Sequence, residues 1–472
     1  MENFTRKAVV SLLSSYISQF ATTAVNFASK LILARLIAPA DLGLYAVTLI
    51  VLLGSDVLVD LGVAQHLARE KHRPYGNVLM LRTSISVVLF IALQIFAGEF
   101  RFLGAQVPAV LRTLAILVVI KAIAGLALIF LDRELMINKS ILPQFARLAA
   151  TAIVSIGLGF MHYGVWALVY GTIVGEAVFG IMIWRAAYPH MPLELTWKYT
   201  GSLLRGSQYL FLIGCMGFAL QQGDIGVIGT LKGVQQTGYY AMAYTLVVII
   251  SRVVEVAIYR VIYPMFCEYR DDIPRLGMIY RKATLAITAI EAPIYFFLLF
   301  NSPILVTAVL GKKWMPAAIL MQYLAVSGII NPFSTFGMEV LRAKRKDRIL
   351  TLSTVLGAIT LVTFGYILTS RYGTVGMAMA NYIIIGSIPT IIAVYKTVRS
   401  DFIKLAGQLA IVYITSFAII ATAGITLSSH PVAQIIVSGI LVPTCWLMYY
   451  KAYGDDLGRK TINVLLSPRS AA

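Results

Sequence analysis

Charged side chains inside long apolar segments are the residues of this sequence that could do chemistry. An ionisable group near the middle of a bilayer costs about 2.5–3.5 kcal/mol on insertion scales, so such groups usually face a cavity or a partner. The candidates for ligand binding or gating are Lys30, Asp56, Asp60, Arg82, Lys121, Glu176, Asp224, Arg252 and Glu255. The cations among them suit an anionic ligand, whereas the acids suit a coupling cation, a proton or a gate held by ion pairs.

Lys121 and Arg252 are the strongest candidates for an anion site. Arginine binds phosphate through two parallel hydrogen bonds, and lysine acts as a point charge. Both cations could instead form structural ion pairs, Lys121 with a carboxylate such as Glu176 and Arg252 with Glu255 three residues on. The sequence leaves both alternatives open.

The acidic candidates have the same ambiguity. Asp56 and Asp60 are four residues apart, which places them on one face of a helix. They could bind a coupling ion, or they could hold a gate closed through salt bridges. Asp224, in a Gln-Gln-Gly-Asp run, is open to the same two interpretations.

The composition explains why these charges need a special environment. The chain has 472 residues, of which 59% are hydrophobic and only 13% are charged, whereas soluble domains carry roughly 25% charged residues. Lipid must therefore be the solvent for most of the chain. The three cysteines and five histidines have no metal-ligand spacing, so we expect neither a metal site nor a cofactor.

Apolar runs long enough to cross a bilayer, about 20 residues each, indicate an all-α polytopic membrane protein with about 14 spans. The predicted helices are 9–36, 44–67, 78–98, 109–131, 141–161, 164–187, 203–228, 238–264, 282–300, 315–341, 349–369, 373–395, 402–427 and 431–450. With the amino terminus in the cytoplasm, the inner segments hold 27 cations and the outer ones 7. This alternation agrees with the positive-inside rule, predicts both termini in the cytoplasm, and accounts for most of the +18 charge without nucleic acid as a partner.

A weak internal repeat suggests how the helices are grouped. A shift of 195 residues aligns 34–48 with 229–243, including Gly43 with Gly238, and places Asp60 opposite Glu255. The shift covers six helices, so both copies enter the membrane in the same orientation. We therefore predict two pseudo-symmetric six-helix lobes at 1–195 and 196–400, followed by two helices and a tail at 401–472.

Three segments of the sequence carry motifs of a known family. The segment ARLIAPADLGLYA at 34–46 is followed by Asp60-Leu61-Gly62 at the end of the next helix. The other two segments are LGKKWMPAA at 310–318 and RYGTVGMAMANYI at 371–383. In these segments the chain resembles the polysaccharide and oligosaccharide flippases (Wzx-type) of the multidrug/oligosaccharidyl-lipid/polysaccharide superfamily. The chain departs from the family pattern at Ala38, where glycine is usual, and at Asp224, which is followed by Ile225 rather than arginine.

The resemblance implies two lobes around a central cavity, and transport rather than enzymatic catalysis. The substrate would be an undecaprenyl-diphosphate oligosaccharide, moved by alternating access from the inner to the outer leaflet of the bacterial cytoplasmic membrane for surface polysaccharide, exopolysaccharide or lipopolysaccharide synthesis. Membrane lipid and polysaccharide polymerase or export machinery are the implied partners. Because one chain holds both lobes, we predict a monomer.

On this basis, we expect the diphosphate to bind cations in the cavity. The candidates are Lys30, Lys121, Arg252 and Arg82, although Lys30 and Arg82 could also extend toward the membrane surfaces. The candidates for coupling or gating are Asp60, Asp224, Glu255, Asp56 and Glu176.

Two alternatives remain at the level of sequence. A cation-coupled multidrug exporter of the same superfamily would favour an acidic and aromatic cavity, and the intramembrane cations argue against it. A membrane enzyme such as a glycan polymerase needs a large outer loop or a catalytic constellation, and the sequence predicts only short outer loops.

Overall fold

The computed structural model describes residues 22–63, 75–134, 136, 138–193 and 200–453. These residues form α-helices joined by short turns and 3-10 segments, with no β-strand in the described ranges. The predicted all-α polytopic fold is confirmed.

The described residues of the first half of the chain form seven helices and the start of an eighth. They are α1 (22–36), α2 (Pro39–Asp60), α3 (Tyr75–Phe96), α4 (Val107–Leu114), α5 (Ile116–Arg133), α6 (Asn138–Phe160), α7 (Val165–Ala187) and α8 (Thr200–Glu268). The predicted start of the first helix, residues 9–21, lies outside the described residues. A single non-helical residue, Gly233 with φ 77° and ψ 178°, divides the long α8.

The second half contains the remaining helices. They are α9 (Ile273–Val309), α10 (Met315–Ala343), α11 (Asp347–Tyr372), α12 (Thr374–Ala380), α13 (Ile388–Thr397), α14 (Arg399–Thr426) and α15 (Pro431–Tyr453). The predicted helix 373–395 is in fact two helices, α12 and α13, with the 3-10 segment Ile384–Ser387 between them. Pro389, in the first turn of α13, cannot donate the backbone hydrogen bond that a continuous helix would need.

Ten of the helical segments within the described ranges are long and apolar enough to cross a membrane. The chain is therefore a multi-pass membrane protein, and the count of 14 spans stays a prediction.

The chain divides into two compact units. The first comprises Met1–Ala241 and Leu361–Thr374, and the second comprises Met242–Thr360 and Val375–Ala472. The lobes expected at 1–195 and 196–400, with 401–472 as an addition, stay a prediction.

Within the first unit, α2 and α8 touch through their backbones at two glycines. A Cβ on Gly43 would lie 1.7 Å from the carbonyl oxygen of Val234, and a Cβ on Gly238 would lie 1.9 Å from that of Pro39. No other residue leaves room for such an approach. The two glycines that the repeat aligns therefore fix how α2 crosses α8.

Within the second unit, α9 is the central helix and packs against α10, α14 and α15. Its buried residues include Tyr280, which contributes to a core shared with Phe266 and Phe336. An ion pair between Arg281 and Asp401, 3.1 Å apart, joins α9 to α14.

Candidate functional site

Helix α2 carries two of the predicted acids at its carboxyl end, and each forms an ion pair with a different helix. Asp56 Oδ2 lies 3.0 Å from Nζ of Lys121 on α5. Asp60 Oδ1 lies 2.5 Å from Nη1 of Arg82 on α3. The two acids, one turn apart on one face, thus bind α2 to two neighbours at successive levels.

Asp60 is the last residue of α2, and this position makes its negative charge dependent on a nearby cation. Helix α2 ends at Asp60, because Leu61 (φ 46°) and Gly62 (φ 74°) adopt left-handed backbone conformations. Residues 64–67 of the predicted helix 44–67 lie outside the described residues. A negative charge at a helix carboxyl terminus is disfavoured by the helix dipole. The guanidinium of Arg82 offsets this cost.

Arg82 is held deep between helices. The residue is only 7% exposed, and its Nε donates a hydrogen bond to the carbonyl oxygen of Ala122 at 3.3 Å. Its Nη2 lies so close to Gly125 that a Cβ added to this glycine would be only 2.9 Å from the Nη2 atom. The side chain therefore points into the helix packing and not toward the membrane surface.

In the structure Lys121 does not pair with Glu176, the carboxylate that the sequence analysis named as a possible partner. Glu176 on α7 pairs with Arg147 on α6, with 3.1 Å between Oε1 and Nη1. The Arg147 guanidinium also lies 5.1 Å from the centre of the Phe179 ring. Lys121 forms a structural ion pair as that alternative proposed, but the pair is with Asp56, because the rotation of α5 turns Lys121 toward α2.

A pocket of about 390 Å³ lies between α2 and the amino-terminal part of α8, within the first unit. Its polar and aromatic lining comprises Asp56, Asp60, Phe211, Phe218, Gln221 and Gln222. Glycine and aliphatic residues complete the wall. The pocket brings both α2 acids to one surface, together with α8 residues that sequence analysis did not select.

Among the described residues that line the pocket, the charged side chains are the carboxylates of Asp56 and Asp60. Their ion-pair partners Lys121 and Arg82 are not part of that described lining. Each acid gives one oxygen to its ion pair, so the second oxygen of Asp56 and of Asp60 remains able to accept a hydrogen bond. The charges of these two ion pairs sum to zero, and the cation-lined cavity expected from the sequence stays a prediction.

Asp224 lies in α8, away from this pocket lining. Only 3% of the residue is exposed. Its Oδ2 accepts a hydrogen bond from the Tyr240 hydroxyl at 2.9 Å, and its Oδ1 accepts one from the Ile225 backbone N–H at 2.7 Å. Across the described part of the chain no cation pairs with it, so hydrogen bonds alone compensate this buried carboxyl.

The remaining candidates are one exposed lysine and two residues whose side chains are not described. Lys30 is an exposed residue of α1 and does not line the pocket. The side chains of Arg252 and Glu255 lie outside the described part of the structure. The described residues contain no group of three or more His, Cys, Asp or Glu side chains that could hold a metal ion.

Comparison with known proteins shows similarity to a transport protein of succinoglycan biosynthesis. Over 334 residues the chain is 25% identical to the succinoglycan biosynthesis transport protein ExoT of Rhizobium meliloti strain 1021. The match covers 68% of this chain and 66% of ExoT, just under two thirds of that relative's length.

Solved structures share the fold at low sequence identity. The lipid II flippase MurJ in an inward closed conformation matches with a TM-score of 0.76 at 15% identity, covering 93% of this chain and 98% of MurJ. An inward-facing multidrug resistance MATE family transporter of the MOP superfamily matches with a TM-score of 0.62 at 14% identity, covering 82% and 95% of the two chains.

The family model described as polysaccharide biosynthesis protein matches residues 32–319, which is more than half of the chain. The matched region contains α2, α3 and α5 with their ion pairs, and both sides of the pocket. It also contains the segment at 34–46 on which the sequence resemblance rested. The chain therefore belongs to the polysaccharide biosynthesis protein family.

Proposed function

We propose that this protein is a flippase that moves a lipid-linked oligosaccharide, carried on undecaprenyl diphosphate, across the bacterial cytoplasmic membrane. The observation that carries the proposal is a polar pocket among membrane-spanning helices, in a fold shared with a lipid II flippase. The name of ExoT, a transport protein of succinoglycan biosynthesis, supports a glycan cargo. Transport would proceed from the inner to the outer leaflet by alternating access.

The diphosphate would bind cations that can exchange partners. Lys121 is the best placed of the described candidates, since its side chain is 25% exposed while it pairs with Asp56. A phosphate oxygen could replace that carboxylate and keep the ammonium compensated. Arg82 is more deeply enclosed, so it could bind the diphosphate only if α2 moved. Lys30 and Arg252 stay candidates for the same role.

The acids would control the conformational change. The pairs Asp56–Lys121 and Asp60–Arg82 tie α2 to α5 and α3, so their rupture or exchange would free α2 to move. Glu176 ties α7 to α6 in the same way through Arg147. Asp224 is the candidate for binding a coupling ion or proton, and Glu255 stays a candidate for gating.

The membrane potential can supply part of the work. With a negative cell interior, outward movement of an anion is favoured by about 2.3 kcal/mol per charge per 100 mV. A diphosphate-linked substrate would therefore be driven outward without an obligatory coupling ion.

The proposed setting follows from the same function. We place the protein in the bacterial cytoplasmic membrane with both termini in the cytoplasm, acting as a monomer. Membrane lipid surrounds it, and polysaccharide polymerase or export machinery receives its product.

A cation-coupled multidrug exporter is the second candidate, and one observation favours it. The pocket is lined by two carboxylates and two phenylalanines, which is the lining that a cationic, apolar drug would require. Family membership favours the flippase, and a transport assay separates the two.

The test is leaflet exchange in proteoliposomes with a fluorescent undecaprenyl-diphosphate oligosaccharide, read by accessibility of the label to a membrane-impermeant quencher. Wild type should exchange the lipid well above protein-free liposomes, and Lys121→Ala should lose most of the exchange. Absence of exchange by folded wild type, together with proton- or sodium-driven efflux of a cationic dye, would replace the flippase with the exporter.

A further inference from the structure

The pocket between α2 and α8 has the chemistry of a sugar site and not of a phosphate site. Two phenylalanine rings, Phe211 and Phe218, line it together with two primary amides, Gln221 and Gln222. Aromatic faces pack against the apolar C–H surface of a sugar ring, and amides can both donate to and accept from its hydroxyls.

The amides are available to a ligand. Neither Gln221 nor Gln222 forms a hydrogen bond to any residue within the described part of the chain. By contrast, Gln322 and Gln408 elsewhere in the protein each bond to a protein group. The donors and acceptors of the pocket amides are therefore left for solvent or for cargo.

The carboxylates decide which sugars fit. Asp56 and Asp60 each keep one oxygen outside their ion pairs, and a carboxylate oxygen is a strong acceptor for a hydroxyl group. An anionic ligand placed against these two carboxylates would meet like charge at short range and lose its hydration. A neutral sugar, or one with an ammonium group, meets neither cost.

The volume fits part of the cargo. The pocket holds about 390 Å³, toward the lower end of the ~300–1,000 Å³ typical of small-molecule sites. This is room for a short portion of an oligosaccharide, not for a whole repeat unit with its lipid. The remainder would extend out of the pocket.

We propose that this pocket binds a neutral or amino sugar of the glycan head group and excludes uronic acids and the diphosphate. The inference rests on the proposed flippase function and adds a specificity determinant to it. Residues of α2 supply charge selection, and residues of α8 supply stacking and hydrogen bonds. The diphosphate must then be bound by cations elsewhere, or by Lys121 after it leaves Asp56.

The binding test uses the full-length protein in nanodiscs with methyl glucoside, methyl glucosaminide, methyl glucuronide and inorganic pyrophosphate as probes. Saturation-transfer NMR for the glycosides, and phosphorus line broadening for pyrophosphate, detect weak binding directly. At about 10 mM probe a site with a millimolar Kd is mostly occupied. We expect the first two glycosides to bind, and glucuronide and pyrophosphate to bind at least tenfold more weakly.

Two pocket variants and one control assign the signal to the pocket. Phe218→Ala should weaken glucoside binding about tenfold, equivalent to ~1.4 kcal/mol. Phe160→Ala, at a 65% exposed site on α6 outside the pocket, should leave it unchanged. Gln221→Lys adds a cation at an exposed lining position without touching either ion pair, and it should improve glucuronide binding relative to glucoside.

Several results would overturn the inference. They are no binding of any neutral glycoside by wild type, binding unaffected by Phe218→Ala, or equal affinity for glucuronide and glucoside. If wild type exchanges the lipid-linked oligosaccharide while pocket variants leave sugar binding intact, the pocket assignment fails and the flippase stands. If pocket-dependent sugar binding occurs without lipid exchange, the pocket stands and the flippase fails.

Discussion

At the scale of single residues, the intramembrane charges of the first unit serve first to compensate one another. Asp56 and Asp60 pair with cations from two different helices, and Glu176 pairs with Arg147. Charge in a low-dielectric region is retained only when it is paired or functional. The paired acids Asp56 and Asp60 also form part of the pocket surface.

A charge swap separates the structural role of Lys121 from its proposed role in binding. Lys121→Ala should lower the free energy of unfolding by about 1–3 kcal/mol, between the values for exposed and buried pairs. The double variant Asp56→Lys with Lys121→Asp restores the pair and should recover most of that loss. Thermal stability followed by size-exclusion chromatography measures both.

Transport by the same double variant then decides the binding role. If Lys121 also binds diphosphate, the swapped protein should be stable but inactive in leaflet exchange. Full recovery of exchange along with stability would show that Lys121 only pairs with Asp56.

The second pair should respond asymmetrically to loss of either partner. Asp60→Asn leaves the guanidinium of Arg82, whose side chain is 9% exposed, buried without its counter-ion. Arg82→Gln leaves Asp60, at 26% exposure, facing the pocket. We expect Asp60→Asn to cost on the order of 3 kcal/mol and Arg82→Gln clearly less, both measured as thermal stability. The opposite order would contradict the burial argument.

The sequence could identify charged residues within the apolar segments, but it could not predict which of them form ion pairs. Asp56, Asp60, Arg82 and Lys121 are conspicuous because charge is rare in apolar segments. The partner of Lys121 depends on how α5 is rotated against α2, and no spacing along the chain records that rotation. Phe211 and Phe218 were missed because aromatic residues in a membrane helix are most often lipid-facing. In the sequence, the glycines and glutamines of 203–228 were the feature that could have indicated a pocket along this helix.

At the scale of helices, apolar run length predicted most of the elements, and local backbone chemistry changed their ends. Left-handed residues Leu61 and Gly62 stop α2 early, and Pro389 separates α12 from α13. In the opposite direction, the turn expected between 228 and 238 narrows to one residue, Gly233, inside α8. Such positions depend on tertiary fit, which hydrophobicity does not encode.

The crossing of α2 and α8 should depend on the absence of a side chain at Gly238. Gly238→Ala places a methyl group within 1.9 Å of a backbone oxygen, so the helices must separate and the pocket must change shape. We expect a strong loss of thermal stability and of monodisperse protein. Gly226→Ala, on the same helix with open space around its Cβ, is the matched control. Equal stability of the two variants would contradict the crossing.

At the scale of the whole molecule, the distribution of cations predicts the orientation in the membrane. Five cations lie between 342 and 348, in the last turn of α10 and just after it, whereas Lys312 and Lys313 precede the helix. Helix α10 has 29 residues, and at about 1.5 Å per residue it is long enough to separate the two groups by a membrane. The positive-inside rule places the larger group in the cytoplasm.

Cysteine accessibility tests that orientation. In a background without Cys215, Cys267 and Cys445, we expect Lys312→Cys to react with a membrane-impermeant maleimide added to intact cells. Lys346→Cys, also at an exposed position, should react only after the membrane is permeabilised. The reverse pattern would invert the topology and place both termini outside.

The central claim is that the protein moves a lipid-linked oligosaccharide between leaflets. Its most direct test is leaflet exchange of the fluorescent undecaprenyl-diphosphate oligosaccharide by purified wild type in proteoliposomes, with protein-free liposomes as the negative control. We predict exchange by wild type that accelerates when the membrane potential favours movement of the anion. Folded wild-type protein that leaves the lipid in its original leaflet, at every imposed potential, would contradict the account.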